Sequence, residues 1–313
     1  MKLTDSFFLK NRLAVMKIAR DMVAMPIGSK ISTITEYAEK FNISRGTVQN
    51  AITYLSEKEA ITIQKKGHMG THLVHKDIDK IWSYTGWGSL TGVMSLPLNL
   101  LSSGLATGIC ECMKQHNINF NCIFIQGSKT RIEALADNKY DFIVASSLTA
   151  SLLKDRYQTL ELVSELDGCG YAGRYVLLFS DHKHSRLEEG MTISVDPSSI
   201  DQLYLTDSLC KNLNIKRLET TYINTYKNVA LGKADAAVGR LDIINDTYTG
   251  MHYIDLDLSD YTQKQIEGFS KAVILAERDN YGLKALLQKV LNPAEIAEIQ
   301  SKVTSQQMFP SYY

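Results

Sequence analysis

The chain has 313 residues, 44% of them hydrophobic and 22% charged, and its 34 basic and 34 acidic side chains cancel to a formal net charge of zero. That length allows two or three domains, and the composition is that of an ordinary soluble globular protein. No apolar run approaches the roughly 18 residues of a membrane helix, Lys10 and Arg12 cut short the apolar Phe7-Phe8-Leu9 where a signal peptide would continue, and five cysteines without a Cys-x-x-Cys pair fit a reducing compartment, so the expectation is a cytoplasmic protein with no membrane contact.

Charge is unevenly spread. Residues 1–76 carry 12 basic and 6 acidic side chains, a balance of +6, which leaves the remainder at −6. A basic first quarter on an acidic body suggests a nucleic-acid-binding head.

Phe7 to Met25 has helical periodicity and stops at Pro26. It carries two apolar stripes, Leu9-Leu13-Met16-Val23 and Phe8-Val15-Met22. One faces the domain core; the other faces a partner chain or the next domain, or the helix is simply deeply buried. Thr33 or Thr35 can then cap a helix with Tyr37, Ala38 and Phe41 on its inner side. After a tight turn at Asn42-Ile43-Ser44, Val48, Ala51, Ile52 and Leu55 recur at i, i+3, i+4, i+7, the buried face of a second helix. At about 100° per residue, Gly46, Asn50 and Thr53 fall opposite that face. Glycine in a helix interior costs about 1 kcal/mol, but without a Cβ it lets something as large as a DNA groove approach the backbone. Ile61, Ile63 and Leu73 alternate about a Gly67–Gly70 turn, which predicts a hairpin with Lys65, Lys66 and His68 at a basic tip. Two helices joined by a short turn and followed by such a hairpin make a winged helix.

The run from Ser32 to Val74 resembles the winged helix of GntR-type transcription regulators, through Ser44-Arg45, Thr47-Val48, Ala51 to Leu55, and Gly70-Thr71. Where that family often has a charged residue, this chain has Gln49 and Asn50. The resemblance implies binding to double-stranded DNA, with the second helix in the major groove. Gln49 and Asn50 can pair bidentately with adenine, and Arg45 can pair with guanine or hold a phosphate. Ser44 and Thr47 then hold phosphate, Gly46 permits the approach, and Lys65, Lys66, His68 and Thr71 belong to the wing's contacts to phosphate or the minor groove. A winged helix serving as a protein-interaction module is the alternative.

Residues 77–88 read as a linker, with Trp82 and Trp87 packing at a domain interface or stacking on a ligand. Beyond it strands and helices alternate, an α/β pattern with a mostly parallel sheet. Strands are expected at 90–96, 121–126, 141–145, 175–180, 191–195, 219–223, 236–238, 253–256 and 272–276, with two helical stretches around Pro293. Segments 130–146 and 225–240 share one form, a helix, a short turn with Asp, and a short apolar strand, which implies two similar lobes. This body resembles the type 2 periplasmic-binding-protein fold, also the effector domain of many LysR-type regulators, and the GntR-type head on such a body resembles the YhfZ-type regulators. The resemblance implies a winged helix-turn-helix domain at 1–76 and a two-lobed α/β domain at 89–313. Lobe I takes 89–168 and 268–313, lobe II takes 172–265, and the chain crosses near 167–175 and 267–275.

In open α/β sheets ligands sit beyond the carboxyl ends of strands, where helix N-termini offer N–H groups to anions. Small polar residues gather at those ends: Asn99, Ser102 and Ser103, then Ser128, then Ser146 and Ser147, then Asp196 and Ser198, then Asn224. Arg174 near the first crossing and Arg240 at a strand end can hold a carboxylate or phosphate. Each hydroxyl taken singly is as well explained as a helix cap. No nucleophile elbow, Walker loop or His-Glu-x-x-His is present, so an enzyme is not expected, nor a cofactor. His182 with His184 reads as a solvated turn, not a metal site. The expected function is a ligand-responsive transcription regulator, a homodimer reading two half-sites about 34 Å apart, whose lobes close on a small-molecule effector, an anionic one by the two arginines. A body that only oligomerises, and an enzyme of binding-protein-like fold with Cys169 as its thiol, are the alternatives.

Overall fold

The computed structural model describes residues 3–153, 156–247, 250–257 and 271–312. The side chains of residues 3–10 lie outside the description, and with them the expected stripe positions Phe8 and Leu9. The expected return crossing near 267–275 lies partly outside it as well. Mixed α/β elements form two compact units: residues 1–90 with 114–119 and 279–290, and residues 91–113, 120–278 and 291–313. No described helix is long and apolar enough to cross a membrane.

The first unit is built on α1 (Leu3–Ala24), whose Ala14, Ile18, Ala19, Met22 and Val23 are fully buried. Helix α2 (Ile34–Phe41) starts in a capping box: Thr33 accepts the Glu36 N–H, and the Glu36 carboxylate accepts the Thr33 N–H. It ends where Asn42 adopts a left-handed φ of 52°. Helix α3 (Arg45–Glu57) buries Val48, Ala51, Ile52 and Leu55 against α1, the stripe its spacing predicts. Ser44 is its N-cap, so Gly46 sits in the first turn and not in the helix interior. There it lacks most of the helical penalty assigned to it above. Strands β1 (Ile61–Lys65) and β2 (Thr71–Lys76) pair antiparallel into the hairpin.

The expected linker is instead a helix, α4 (Ile78–Thr85). Asp77 caps it by accepting the Asp79 and Lys80 N–H groups, Gly86 ends it in the left-handed region, and Ile78, Ile81, Trp82 and Thr85 are buried at helical spacing. Trp82 and Trp87 pack on each other with centroids 4.7 Å apart. Trp87 also presses on Gly282 of α11 (Tyr281–Val290), where a Cβ would collide with its ring.

The second unit holds two five-stranded sheets. The first comprises β3 (Leu90–Met94), β4 (Phe120–Phe124), β5 (Phe142–Ser146), β6 (Leu160–Gly170) and β12 (Lys271–Glu277), in the order β4-β3-β5-β12-β6. Strands β3 and β5 run parallel, and β12 lies antiparallel to both β5 and β6. Its helices are α5 (Leu100–Gln115), α6 (Ser128–Ala136), α7 (Ser147–Leu153) and α12 (Pro293–Thr304). The second sheet comprises β7 (Tyr175–Phe179), β8 (Thr192–Val195), β9 (Lys216–Glu219), β10 (Ala236–Arg240) and β11 (His252–Asp255), in the order β11-β7-β10-β8-β9. Helices α8 (Ile200–Cys210), α9 (Tyr222–Ala230) and α10 (Leu241–Thr247) accompany it. Strand β8 is parallel to β9 and β10, while β7 is antiparallel to β10 and β11.

Two differences from the expected elements matter for the site. The strand expected at 219–223 does not form: β9 ends at Glu219, and Tyr222, Thr225, Tyr226 and Val229 are buried at the spacing of a helix, α9. Strand β6 had no counterpart in the expectation. It lies at the sheet edge, where five of its eleven residues are exposed and only Val163, Leu166 and Cys169 are buried, so no continuous apolar run marks it.

Candidate functional site

On the first unit, α3 exposes Arg45, Gly46, Gln49 and Asn50, with Thr47 half-buried. A Cβ on Gly46 would meet nothing nearer than the Ser44 hydroxyl at 4.0 Å, so its missing side chain leaves open surface. The Ser44 hydroxyl accepts the Thr47 N–H at 3.2 Å and lies 2.8 Å from the Thr47 hydroxyl. These two expected phosphate ligands therefore cap the helix and each other. Gln49 donates to the Thr53 hydroxyl at 3.3 Å. Asn50 borders a groove of about 540 Å³ with Arg12, Val15, Tyr54 and Tyr84. Lys65, Lys66 and His68 are exposed at the hairpin tip. Thr71 is half-buried, pairs with Lys65, and its carbonyl accepts the Ile31 N–H at 2.9 Å, so its backbone does structural pairing.

In the second unit the two lobes meet around a small cavity of about 40 Å³. That is room for roughly three waters, since about 10–15 Å³ of such volume holds one. From the first-sheet lobe its wall includes Ser95, Gln126, Ser128 and Arg131; Tyr171 lies at the crossover; Tyr175, Ser199, Asp201, Tyr222 and Arg240 come from the second-sheet lobe. Arg131, Asp201 and Arg240 are 2%, 5% and 7% exposed.

Direct hydrogen bonds hold the lobes together. The Asp201 carboxylate accepts the Ser146 hydroxyl at 2.9 Å and the Thr149 hydroxyl at 2.8 Å. The Ile200 N–H donates to the Ser128 hydroxyl and the Lys129 N–H to the Ser198 carbonyl, both at 3.0 Å. The Asn99 side-chain amide donates to Asp242, which also holds the Arg240 guanidinium. Gly127, at φ +86°, makes room for the approach: a Cβ there would strike the Ser198 side chain.

Burial sets the proton chemistry of the wall. It pushes the Asp201 carboxyl above its usual range, against the Ser146 and Thr149 hydroxyls and the two arginines, which pull it down. It raises Tyr175 and Tyr222 well above the usual phenol value, so both remain O–H donors. For Arg240, burial works against the charge, but the Asp242 carboxylate outweighs it and the guanidinium is held more firmly protonated.

The expected ligand residues separate into three groups. Ser128 and Arg240 line the cavity. Asn99, Ser102, Ser146, Asp196 and Ser198 stand behind it in polar contacts: Asn99 with Ser102, and Asp196 accepting the Ser198 N–H and hydroxyl. Ser103 is buried within α5, its carbonyl accepting the Thr107 hydroxyl. The others lie elsewhere. Arg174 is exposed and pairs with Asp255 at 3.1 Å. Ser147 lines a separate apolar groove with Ile132, Leu160 and Val273. Asn224, expected at a strand end, is exposed within α9 because the helix replaces that strand. Sequence reasoning missed Arg131, Asp201 and the three tyrosines. Cys169, the candidate thiol, is buried, its Sγ 3.5 Å from the Pro293 carbonyl, and burial raises its thiol to about 12.

Comparison with known proteins places both parts. A helix-turn-helix domain family matches residues 26–73, and the YhfZ C-terminal domain family matches residues 77–312. The chain is 26% identical over 310 residues to a protein of Escherichia coli K12 described as uncharacterized protein YhfZ, covering 98% of this chain and 99% of that one. Among solved structures it resembles YhfZ from Shigella flexneri, with a TM-score of 0.60 at 24% identity over 75% of this chain and 98% of that one. It also resembles an amino acid ABC transporter substrate-binding protein from Streptococcus pneumoniae, described as bound to L-arginine, with a TM-score of 0.50 at 14% identity over 73% of this chain and 97% of that one. The fold is thus a helix-turn-helix domain followed by a domain like the two-lobed substrate-binding proteins, and the chain belongs to the family of the YhfZ C-terminal domain.

Proposed function

We propose that the protein is a ligand-responsive transcription regulator: a homodimer whose GntR-like winged helices bind double-stranded DNA and whose interlobe cavity takes a small-molecule effector. The observation that carries this reading is one chain joining an exposed, glycine-bearing recognition helix to a cavity walled by buried charged and phenolic groups. Buried groups of that kind, with shifted proton affinities, gather at functional sites. The solved neighbour with bound L-arginine supports a small-molecule occupant.

The lobes are already bonded together around a small cavity, so the expected closure on the effector is revised. An effector larger than a few atoms must part them, and it acts by shifting the balance between joined and parted lobes. DNA affinity then changes only as far as the effector prefers one arrangement. Fluorescence anisotropy on DNA from upstream of the protein's own gene, across a salt series, tests the reading. Binding that exceeds random DNA, with a steep salt slope, is expected. Equal, weak binding to every DNA at low salt would shift the reading to a body that serves oligomerisation alone.

A further inference from the structure

The charges in the cavity wall are unequally matched. Arg240 has Asp242. Asp201 has the Ser146 and Thr149 hydroxyls, with the Tyr175 hydroxyl 3.5 Å away. Arg131 has only neutral acceptors: Nη1 donates to the Ile125 carbonyl at 2.8 Å and Nη2 to the Tyr171 hydroxyl at 2.7 Å. Its Nε has no partner, and among the described residues no carboxylate lies within ion-pair distance of it. A guanidinium buried to 2% exposure with no carboxylate in direct contact is costly, although Asp201 in the same wall attracts it from beyond ion-pair distance. Folds tolerate such an arrangement where a ligand completes it.

The surroundings favour one ligand chemistry. Arg131 projects from the first turns of α6, a nine-residue helix without a side-chain cap, whose positive end favours an anion. The Tyr171 hydroxyl accepts from Arg131, which leaves its own proton for a second acceptor. Tyr222 accepts from Tyr226 and likewise has a proton to give. The cavity's size suits a group of three or four heavy atoms.

We propose that Arg131, with the hydroxyls of Tyr171 and Tyr222, forms an oxyanion subsite of the cleft that takes the carboxylate or phosphate group of the effector. The proposal rests on the effector-cleft reading above and adds the ligand's chemical class. Arg131 supplies the charge, and Tyr171 fixes the guanidinium's direction. The rest of the effector extends between the lobes and replaces bonds such as Asp201 to Ser146.

The full-length protein is titrated with acetate, inorganic phosphate, and the neutral isostere acetamide at constant ionic strength set with sodium chloride, and the unfolding midpoint is followed. A saturable rise with acetate or phosphate, and none with acetamide, is expected. R131Q should weaken that binding at least about tenfold, the loss of a charge-assisted hydrogen bond. R131K, which keeps the charge, should recover part of it, and Y171F should weaken it less than R131Q. If R131Q fails to fold, as its circular dichroism would reveal, R131K, Y171F and the anion selectivity of the native protein carry the test. No saturable anion response in the native protein, or equal responses in native and variant proteins, overturns the subsite. The two readings separate cleanly. A neutral metabolite that releases both native protein and R131Q from DNA would keep the regulator and remove the subsite. Arg131-dependent anion binding in a protein that ignores DNA would do the reverse.

Discussion

Asp201→Ala should part the lobes, and Asp201→Asn should not. Asp201 is 5% exposed, and one oxygen accepts both the Ser146 and Thr149 hydroxyls across the cleft. Hydrogen bonds to a charged group contribute roughly 1.5–3 kcal/mol each, so alanine removes about 3–6 kcal/mol of gross interaction. It also removes a carboxylate whose burial is unfavourable, as its raised proton affinity shows. The net loss of lobe attachment should then be about 2–3 kcal/mol, a shift of some thirtyfold or more in the joined-to-parted ratio. Asparagine keeps an accepting oxygen and discards the buried charge. Small-angle scattering of the native, alanine and asparagine proteins measures the radius of gyration, and urea melts measure stability. Alanine alone should expand the particle.

The pH dependence follows with a definite sign. The folded protein holds the Asp201 proton more tightly than the unfolded chain does. This group's stabilising contribution is therefore complete below its unfolded value and lost as pH rises through the raised folded value. The native protein should gain stability over D201N as pH falls through that interval. A D201N protein as expanded as D201A, or a native-minus-D201N difference that does not change with pH, would refute the reasoning.

On the head, Arg45→Ala and Asn50→Ala should each cost about 1–3 kcal/mol of binding to the operator, the range for one bidentate pair, and little on random DNA, as read by anisotropy. Equal losses on both would remove the base-contact role. Lys65→Ala and Lys66→Ala should weaken binding to every sequence and lower the slope of log affinity against log salt by about 0.9 for each phosphate left unneutralised; an unchanged slope would place both side chains off the DNA. Gly46→Leu meets open space in the free protein, so it should keep the native melting curve and lose DNA binding, and retained binding would show that the helix does not dock by that face.

The head was legible because its determinants are local. Thr33 with Glu36, and Val48 with Ala51, Ile52 and Leu55, state their helices within a few residues. Buried strands such as β5 and β7 were legible for a similar reason, since every residue in them is apolar or small. Edge strand β6 and the first turn of α9 were not: β6 has no continuous apolar run, and Thr221-Tyr222-Ile223 are β-branched and aromatic, the composition of a strand, ahead of a helix legible from 225. The site was half legible for a geometric reason. Polar residues at strand ends were visible, but the groups that reach the cavity sit one turn further on: Arg131 three residues after Ser128, and Asp201 three after Ser198. Helical side chains tilt back toward their N-terminus, so a residue at that offset overhangs the strand end it appears to have passed.

Strand β12 lies between β5 and β6, although well over a hundred residues separate it from β5 in the chain. As the polypeptide leaves the ribosome, β6 therefore waits for its neighbour until the whole second sheet has been made. Helix α11, which packs on α1, arrives later still. Such distant pairings slow assembly and leave strand edges open in the meantime. A message broken anywhere before the codon for Lys271 would thus yield a chain whose first sheet is unfinished, however much of the second it encodes, and quality-control proteases would meet an exposed β5 edge in place of a completed lobe.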